Sequence, residues 1–201
     1  LLCPKPRTPI PESVPARWRE LLEHNREPIS GKPPARLQVI ASNGDAMRAI
    51  VASANARGMA VRLPDGVLAG DAQSLGGQIG EVLKGGAAGL YVWGGETTVE
   101  LPSQPGQGGR NQHLALAAAI ALEGSQGASL LACGSDGNDG PGSWAGAVVD
   151  GQTLARGASS GLDPGECLQR ADSGSFLSCS GDLLETGPTG TNVSDLVLGL
   201  V

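Results

Sequence analysis

From Arg36 onward the apolar positions fall into a repeating alternation. Leu37 to Ile40 reads as a strand, closed by the turn Ser42-Asn43-Gly44. Asp45 is placed to cap a helix over Ala46–Ala56, whose Met47, Ile50, Val51 and Ala54 share one face. Gly58 stands where a left-handed residue ends such a helix. A second strand is expected over Met59–Leu63. A second helix comes next over Asp71–Leu83, with Leu75, Ile79, Val82 and Leu83 inward, and then a third strand over Gly89–Trp93. Strand, helix, strand, helix, strand predicts an α/β fold: a three-layer α/β/α domain on a mixed, mostly parallel sheet.

The second half continues the pattern, with polar, glycine-rich segments after its strands. The third strand runs into Gly94-Gly95-Glu96-Thr97-Thr98, and a short strand Val99–Leu101 leads to Gly106-Gln107-Gly108-Gly109-Arg110-Asn111-Gln112. That segment opens an Ala-rich helix, His113–Leu122. A strand over Ser129–Cys133 runs into Gly134-Ser135-Asp136-Gly137-Asn138-Asp139-Gly140-Pro141. A strand over Leu183–Thr186 runs into Gly187-Pro188-Thr189-Gly190-Thr191-Asn192, and Leu196–Val201 forms a last strand. Open α/β sheets bind ligands beyond the carboxyl ends of their strands, so several such loops predict one shared crevice.

Ahead of this pattern, residues 1–35 hold eight prolines and one helix-like stretch, Val14–His24, with Trp18, Leu21 and Leu22 on a face. They read as an arm or linker, leaving 36–201 as the α/β domain. The opening, polar and Pro-rich with no initiator Met, reads as a mid-protein boundary or a processed fragment.

Composition narrows the function. A net charge of −6 lacks the basic excess of a nucleic-acid binder. The longest apolar run, Leu114–Leu122, is far too short to span a bilayer. Cys3, Cys133, Cys167 and Cys179 have no C-x-x-C spacing, and His24 and His113 are the only histidines, so the chain carries no zinc-site pattern. Free thiols and a cytoplasmic location are the expectation. With aromatics at 2%, Ala, Val, Leu and Ile must build the core.

Each loop has two readings. Arg110 stands where a helix begins, so unpaired N–H groups and a guanidinium fork favour an anion held by Gly108, Gly109, Asn111 and Gln112; the alternative is a plain glycine turn. The dinucleotide fingerprint fails because Asn111 occupies its third glycine position, and no Walker A loop occurs. Asp136 and Asp139 suit a Mg²⁺ shared with water or phosphate oxygens, or else an Asx turn. Glu96 suits orientation of a hydroxyl or a metal-bound water, or else a turn cap. Thr189, Gly190, Thr191 and Asn192 form a nest for a carboxylate or phosphate, or else a tight connection.

In this order the four segments, Gly94 to Thr98, Gly108 to Gln112, Asp136 to Pro141 and Thr186 to Asn192, resemble the MOFRL domain, the C-terminal part of the glycerate 2-kinases. The same proteins carry the label hydroxypyruvate reductase in tartrate-degradation clusters. The resemblance covers about residues 36–201 and is strongest from Gly94 to Asp195. It implies transfer of the ATP γ-phosphoryl to the 2-hydroxyl of D-glycerate with Mg²⁺, in a cleft between this lobe and an N-terminal Rossmann-like lobe. The family's catalytic arginine falls on Arg110, whereas its partner lysine and its Gly-Gly-Gly-Ser loop belong to the other lobe. Gln107 stands where the family usually has a basic residue. Gly94 and Gly95 join the phosphate-binding set, and Glu96 the catalytic one. The partners implied are a small hydroxy acid, the other lobe and a second copy of the chain in a homodimer. Two further readings stay open: a hydroxypyruvate reductase lobe, and a non-catalytic module for small anions or for assembly.

Overall fold

The computed structural model of the chain describes Ala16 and residues 38–201. The Pro-rich arm with its helix Val14–His24 lies outside the described residues apart from Ala16, which is helical. The chain divides between Val39 and Ile40, and the sheet with its flanking helices belongs to the unit Ile40–Val201.

Gln38, Val39 and Ile40 are not a strand, and Leu37 lies outside the described residues. Helix α1 spans Asn43–Ala56; its N-cap is Ser42, whose side chain accepts from the Asp45 amide, and Asp45 is the acid of the first turn rather than the cap. Strand β1 is short, Val61–Arg62. Strand β2, Leu68–Asp71, has no counterpart in the sequence expectation. Asp71 then caps α2, Ala72–Lys84, through a bond from the Ser74 amide.

Strand β3 runs from Leu90 to Thr98, so Gly94 to Thr98 continue the strand instead of leaving it as a loop, and Val99–Leu101 is not a strand. Helix α3 begins at Arg110 itself and ends at Leu122. Strand β4 covers Ser129–Gly134, and an unexpected β5, Gly146–Asp150, comes after it. Three short helices come next: α4 (Thr153–Gly157), α5 (Pro164–Gln169) and α6 (Ser173–Ser180). Their Ser and Gly content gives little local helix preference, and packing of Cys167, Leu168, Phe176 and Leu177 into the core holds them. Strands β6 (Leu183–Leu184) and β7 (Asp195–Leu200) complete the chain.

The sheet is mixed, in the order β1-β3-β7-β4-β5-β6, with β2 pairing β3 further along the edge that β1 also uses. Its parallel part is smaller than expected: β1 and β2 run parallel to β3, whereas the β3–β7, β7–β4, β4–β5 and β5–β6 pairings are antiparallel. The cause is the last strand. It inserts between β3 and β4 and runs against both, pairings across roughly 105 and 65 residues that no local pattern announces.

Helices flank both faces. Helix α1 lies against β1, β3 and β7, and the other helices gather on the opposite face around α3. Almost every residue of α3 is buried, the mark of a helix enclosed on all sides. It packs closely on α2 because Gly76 and Gly80, one turn apart, leave no Cβ between the backbones. A Cβ at either would collide with the Leu114 or Ala118 carbonyl. That contact turns α2, and Val82, expected inward, is 47% exposed.

Candidate functional site

Asp195 is the residue around which the site assembles. It opens β7, where its register partners are Gly95 on β3 and Gly134 on β4. Its side chain is only 2% exposed, and a buried carboxylate needs a charged partner. Arg110, the first residue of α3, supplies it: Nε donates to Oδ2 at 2.7 Å and Nη2 donates to Oδ1 at 3.2 Å. This two-point bond fixes the plane of the guanidinium, and it holds the group's pKa above its ordinary value.

Nη1 of Arg110 lies 3.0 Å from Oε1 of Glu96. Glu96 is 56% exposed, so that ion pair contributes about 0–1 kcal/mol. Asp195, not Glu96, therefore sets where the guanidinium sits. Of the five N–H donors of an arginine, the Asp195 bond takes two, and the rest remain for Glu96 or for a ligand.

Asp139, expected as a metal ligand, is committed elsewhere. Its Oδ1 accepts from the Asn111 amide at 3.0 Å and from Asn111 Nδ2 at 3.1 Å. Its Oδ2 accepts from the Gln112 amide at 2.9 Å and from Gln112 Nε2 at 3.0 Å. The N-cap residue Gly109 has no side chain to serve these first-turn donors, so a carboxylate from the β4–β5 loop serves them. Burial raises the Asp139 carboxyl above its usual range, and the donors from Gln112 and Asn111 work against that. The helix N-terminus expected to hold a ligand anion is thus filled by the protein's own anion. Asn111 and Gln112 bind Asp139, and Gly109 lets it approach, since a Cβ there would overlap the Asp139 carboxyl carbon. Gly108, at φ +136, turns beside Ser173 and Gly174.

Asp136 forms the Asx turn and keeps one oxygen lightly engaged. Its Oδ1 accepts from the Asn138 amide at 3.0 Å, an Asx turn, while Oδ2 has a single long contact of 3.3 Å from Asn192 Nδ2. The Thr189–Asn192 segment is latched to the same loop. Thr189 Oγ1 donates to the Ser135 carbonyl at 2.6 Å, and the Thr189 amide donates to the Asp136 carbonyl at 3.2 Å. The segment is exposed, with Gly190 at φ +75, and its residues do not line the cleft that Asp136 lines.

Gly94 and Gly95 lie within β3 rather than in a loop. Gly94 makes room for Asn43 and Met47 of α1, and Gly95 for the β2 backbone at Leu68. Asn43 in turn donates to the Val193 and Asp195 carbonyls at 2.8 and 3.0 Å, so α1 braces the start of β7.

Arg110, Glu96, Asp136 and Asp139 line one cleft of about 860 Å³, together with His113 and Thr97. Asp195 and His113 are the residues that sequence reasoning missed as site members. The available signals were faint: a lone carboxylate opening an apolar strand, and a lone imidazole in an Ala/Leu helix with no exposed face. His113 is 4% exposed, and burial lowers its pKa below the ordinary value of 6.5, opposed by the charge of Asp71. Burial also pushes the Cys133 thiol up to about 11, helped by Asp195 and Asp139. Cys133, Cys167 and Cys179 are free thiols among the described residues. No described helix is long and apolar enough to cross a membrane.

A model described as the MOFRL family matches residues 89–195. The D-glycerate 2-kinase of Thermotoga maritima is 53% identical over 110 residues, covering 55% of this chain and 26% of that protein. The glycerate 2-kinase of Pyrococcus horikoshii is 36% identical over 171 residues, 81% of this chain and 39% of that one. In three dimensions the chain resembles the crystal structure of the Thermotoga maritima glycerate kinase. The TM-score is 0.78 at 38% identity, covering 83% of this chain and 42% of the other. The chain therefore spans less than half the length of these relatives.

Proposed function

The chain belongs to the MOFRL family, and on that premise we propose that it is the C-terminal lobe of a cytoplasmic glycerate 2-kinase, transferring the ATP γ-phosphoryl to the 2-hydroxyl of D-glycerate. The observation that carries the reading is the Arg110–Asp195 pair. A guanidinium fixed by a buried carboxylate, with donors to spare, faces a cleft whose volume suits a small phosphorylated substrate. Phosphoryl transfer asks the protein mainly for positioning and for charge stabilisation, and a pre-oriented Arg supplies both.

Arg110 stabilises negative charge on the transferring phosphoryl or on the glycerate carboxylate. Asp195 holds it, and Asp139 fixes the first turn of α3 from which it projects. Glu96 competes for the guanidinium and yields to an incoming anion, since its pairing is weak. The exposed Thr189–Asn192 segment, latched to the loop that carries Asp136, positions that loop.

The cleft is acidic apart from Arg110, which suits a nucleotide that arrives with Mg²⁺. Among the described residues no cluster of three or more His, Cys, Asp or Glu forms a metal cage. Asp136, with a nearly free Oδ2, and Glu96 fit the one or two carboxylates that Mg²⁺ takes alongside phosphate oxygens and water. The ion, when bound, would offset charge on the phosphates.

A single arginine and a partial metal site make an incomplete catalyst. The reading therefore includes an N-terminal lobe that closes the cleft, and it expects the present chain alone to be inactive. The test compares the full-length gene product with residues 1–201, using glycerate, ATP and Mg²⁺, and tracks ADP and phosphoglycerate. The expected result is phosphoglycerate from the full-length protein only. NADH oxidation with hydroxypyruvate, without ATP-dependent product, would overturn it in favour of a reductase.

A further inference from the structure

Four proton-accepting side chains line the cleft where a hydroxy acid would bind: Glu96, Asp136, Asp139 and His113. Three are engaged. Glu96 pairs with Arg110, Asp139 accepts four hydrogen bonds, and Asp136 accepts from Asn138 and Asn192. The His113 imidazole makes no side-chain hydrogen bond among the described residues. It lies one helical turn from Arg110, at i+3, on the same face of α3. In the same cleft wall, Thr97 Oγ1 is buried without a partner among the described residues. Polar groups in such a wall normally find partners, and an imidazole without one on a ligand-sized cleft marks where a ligand's hydroxyl group belongs.

We propose that His113 is the general base of the reaction, taking the proton of the substrate's 2-hydroxyl while Arg110 holds the phosphoryl. This rests on the kinase reading above. In the step, the substrate O–H bond breaks and its proton passes to the open ring nitrogen. The oxygen lone pair forms the new O–P bond as the bond from γ-phosphorus to the ADP oxygen breaks. The imidazolium then returns the proton to water, so charge and atoms balance.

The surroundings favour a neutral ring. Burial disfavours the charged form, and Arg110 on the same helix adds positive charge, whereas Asp71 of β2, Glu96 of β3, and Asp136 and Asp139 of the β4–β5 loop pull the other way. A neutral imidazole is an available acceptor at neutral pH.

The test uses the full-length enzyme and measures kcat/KM between pH 5 and 9 for wild type, His113→Ala and His113→Asn, with unfolding midpoints as the folding control. Wild type should lose activity below pH 6.5. Both variants should fall about a hundredfold or more, lose that acid limb, and recover in part when imidazole is added to His113→Ala. Variants within a few-fold of wild type, or slower with the acid limb intact and no imidazole rescue, would overturn the proposal while leaving the kinase reading in place. Wild type without any ATP-dependent product would sink both.

Discussion

Arg110 and Asp195 stand 85 residues apart in the chain and meet through a two-point bond of 2.7 and 3.2 Å, with the carboxylate 2% exposed and the guanidinium side chain 39% exposed. The asymmetry in burial has an energetic consequence. Removing Arg110 strands a charge that water cannot reach, whereas removing Asp195 leaves one that water still touches.

Arg110→Ala should therefore cost about 3–5 kcal/mol of stability, and Asp195→Asn about 1–3 kcal/mol. Urea unfolding midpoints, converted with a common slope, measure both. Equal losses, or the reverse order, would contradict the burial argument.

In the full-length enzyme Arg110→Ala should lower turnover about a hundredfold or more, the scale for one charge-stabilising donor. Arg110→Lys keeps the charge but not the fork, and should recover only part of the loss. Steady-state rates with ATP and glycerate decide it. Near-normal turnover in the alanine variant removes Arg110 from the chemistry, and near-normal turnover in the lysine variant removes the need for the fork.

Asp139→Ala leaves the Asn111 and Gln112 backbone amides and Asn111 Nδ2 without acceptors, Gln112 Nε2 keeping only the residue-139 carbonyl at 2.9 Å, and should destabilise by about 2 kcal/mol or more, beyond an ordinary cap loss. Gly109→Ala pushes a Cβ into the same carboxylate and should cost about 1–3 kcal/mol. The two changes act on one contact, so the double variant should lose less than the sum, which a double-mutant cycle on unfolding free energies reads directly.

Stability should fall as the solution is acidified below pH 6.5. Burial lowers the His113 pKa in the folded state, so below its ordinary value the unfolded chain binds a proton that the native chain does not. The contribution is complete above that pH and is lost as pH drops toward the folded value. Thermal midpoints from pH 8 to pH 5 should decline less steeply in His113→Asn than in wild type.

Iodoacetamide at pH 8 should modify the exposed Cys179 well before Cys133. With the Cys133 thiol pushed up to about 11, roughly one molecule in a thousand carries the thiolate at that pH. Peptide mapping over time gives the order of modification, and equal rates would show that Cys133 is not shielded.

The amino-acid sequence by itself determined the local elements and the chemical vocabulary. Helical periodicity located α1, α2 and α3 within a few residues, because an amphipathic or wholly apolar helix writes its faces into the chain. It also singled out Arg110 at a helix start and the acidic loop after β4. It misjudged Gly94 to Thr98, because glycine pairs read as a loop wherever the reason for them is a neighbour in space: Asn43 and Met47 for one, the Leu68 backbone for the other. It passed over α4 to α6, whose short Ser/Gly stretches are helical only against the core. The tertiary structure alone decided that the last strand lies between β3 and β4. That placement brought Asp195 to Arg110 and set the antiparallel majority of the sheet. Strand partners across a hundred residues are chosen by which buried faces and charges fit together once the chain is compact, and a one-dimensional pattern holds no record of that fit.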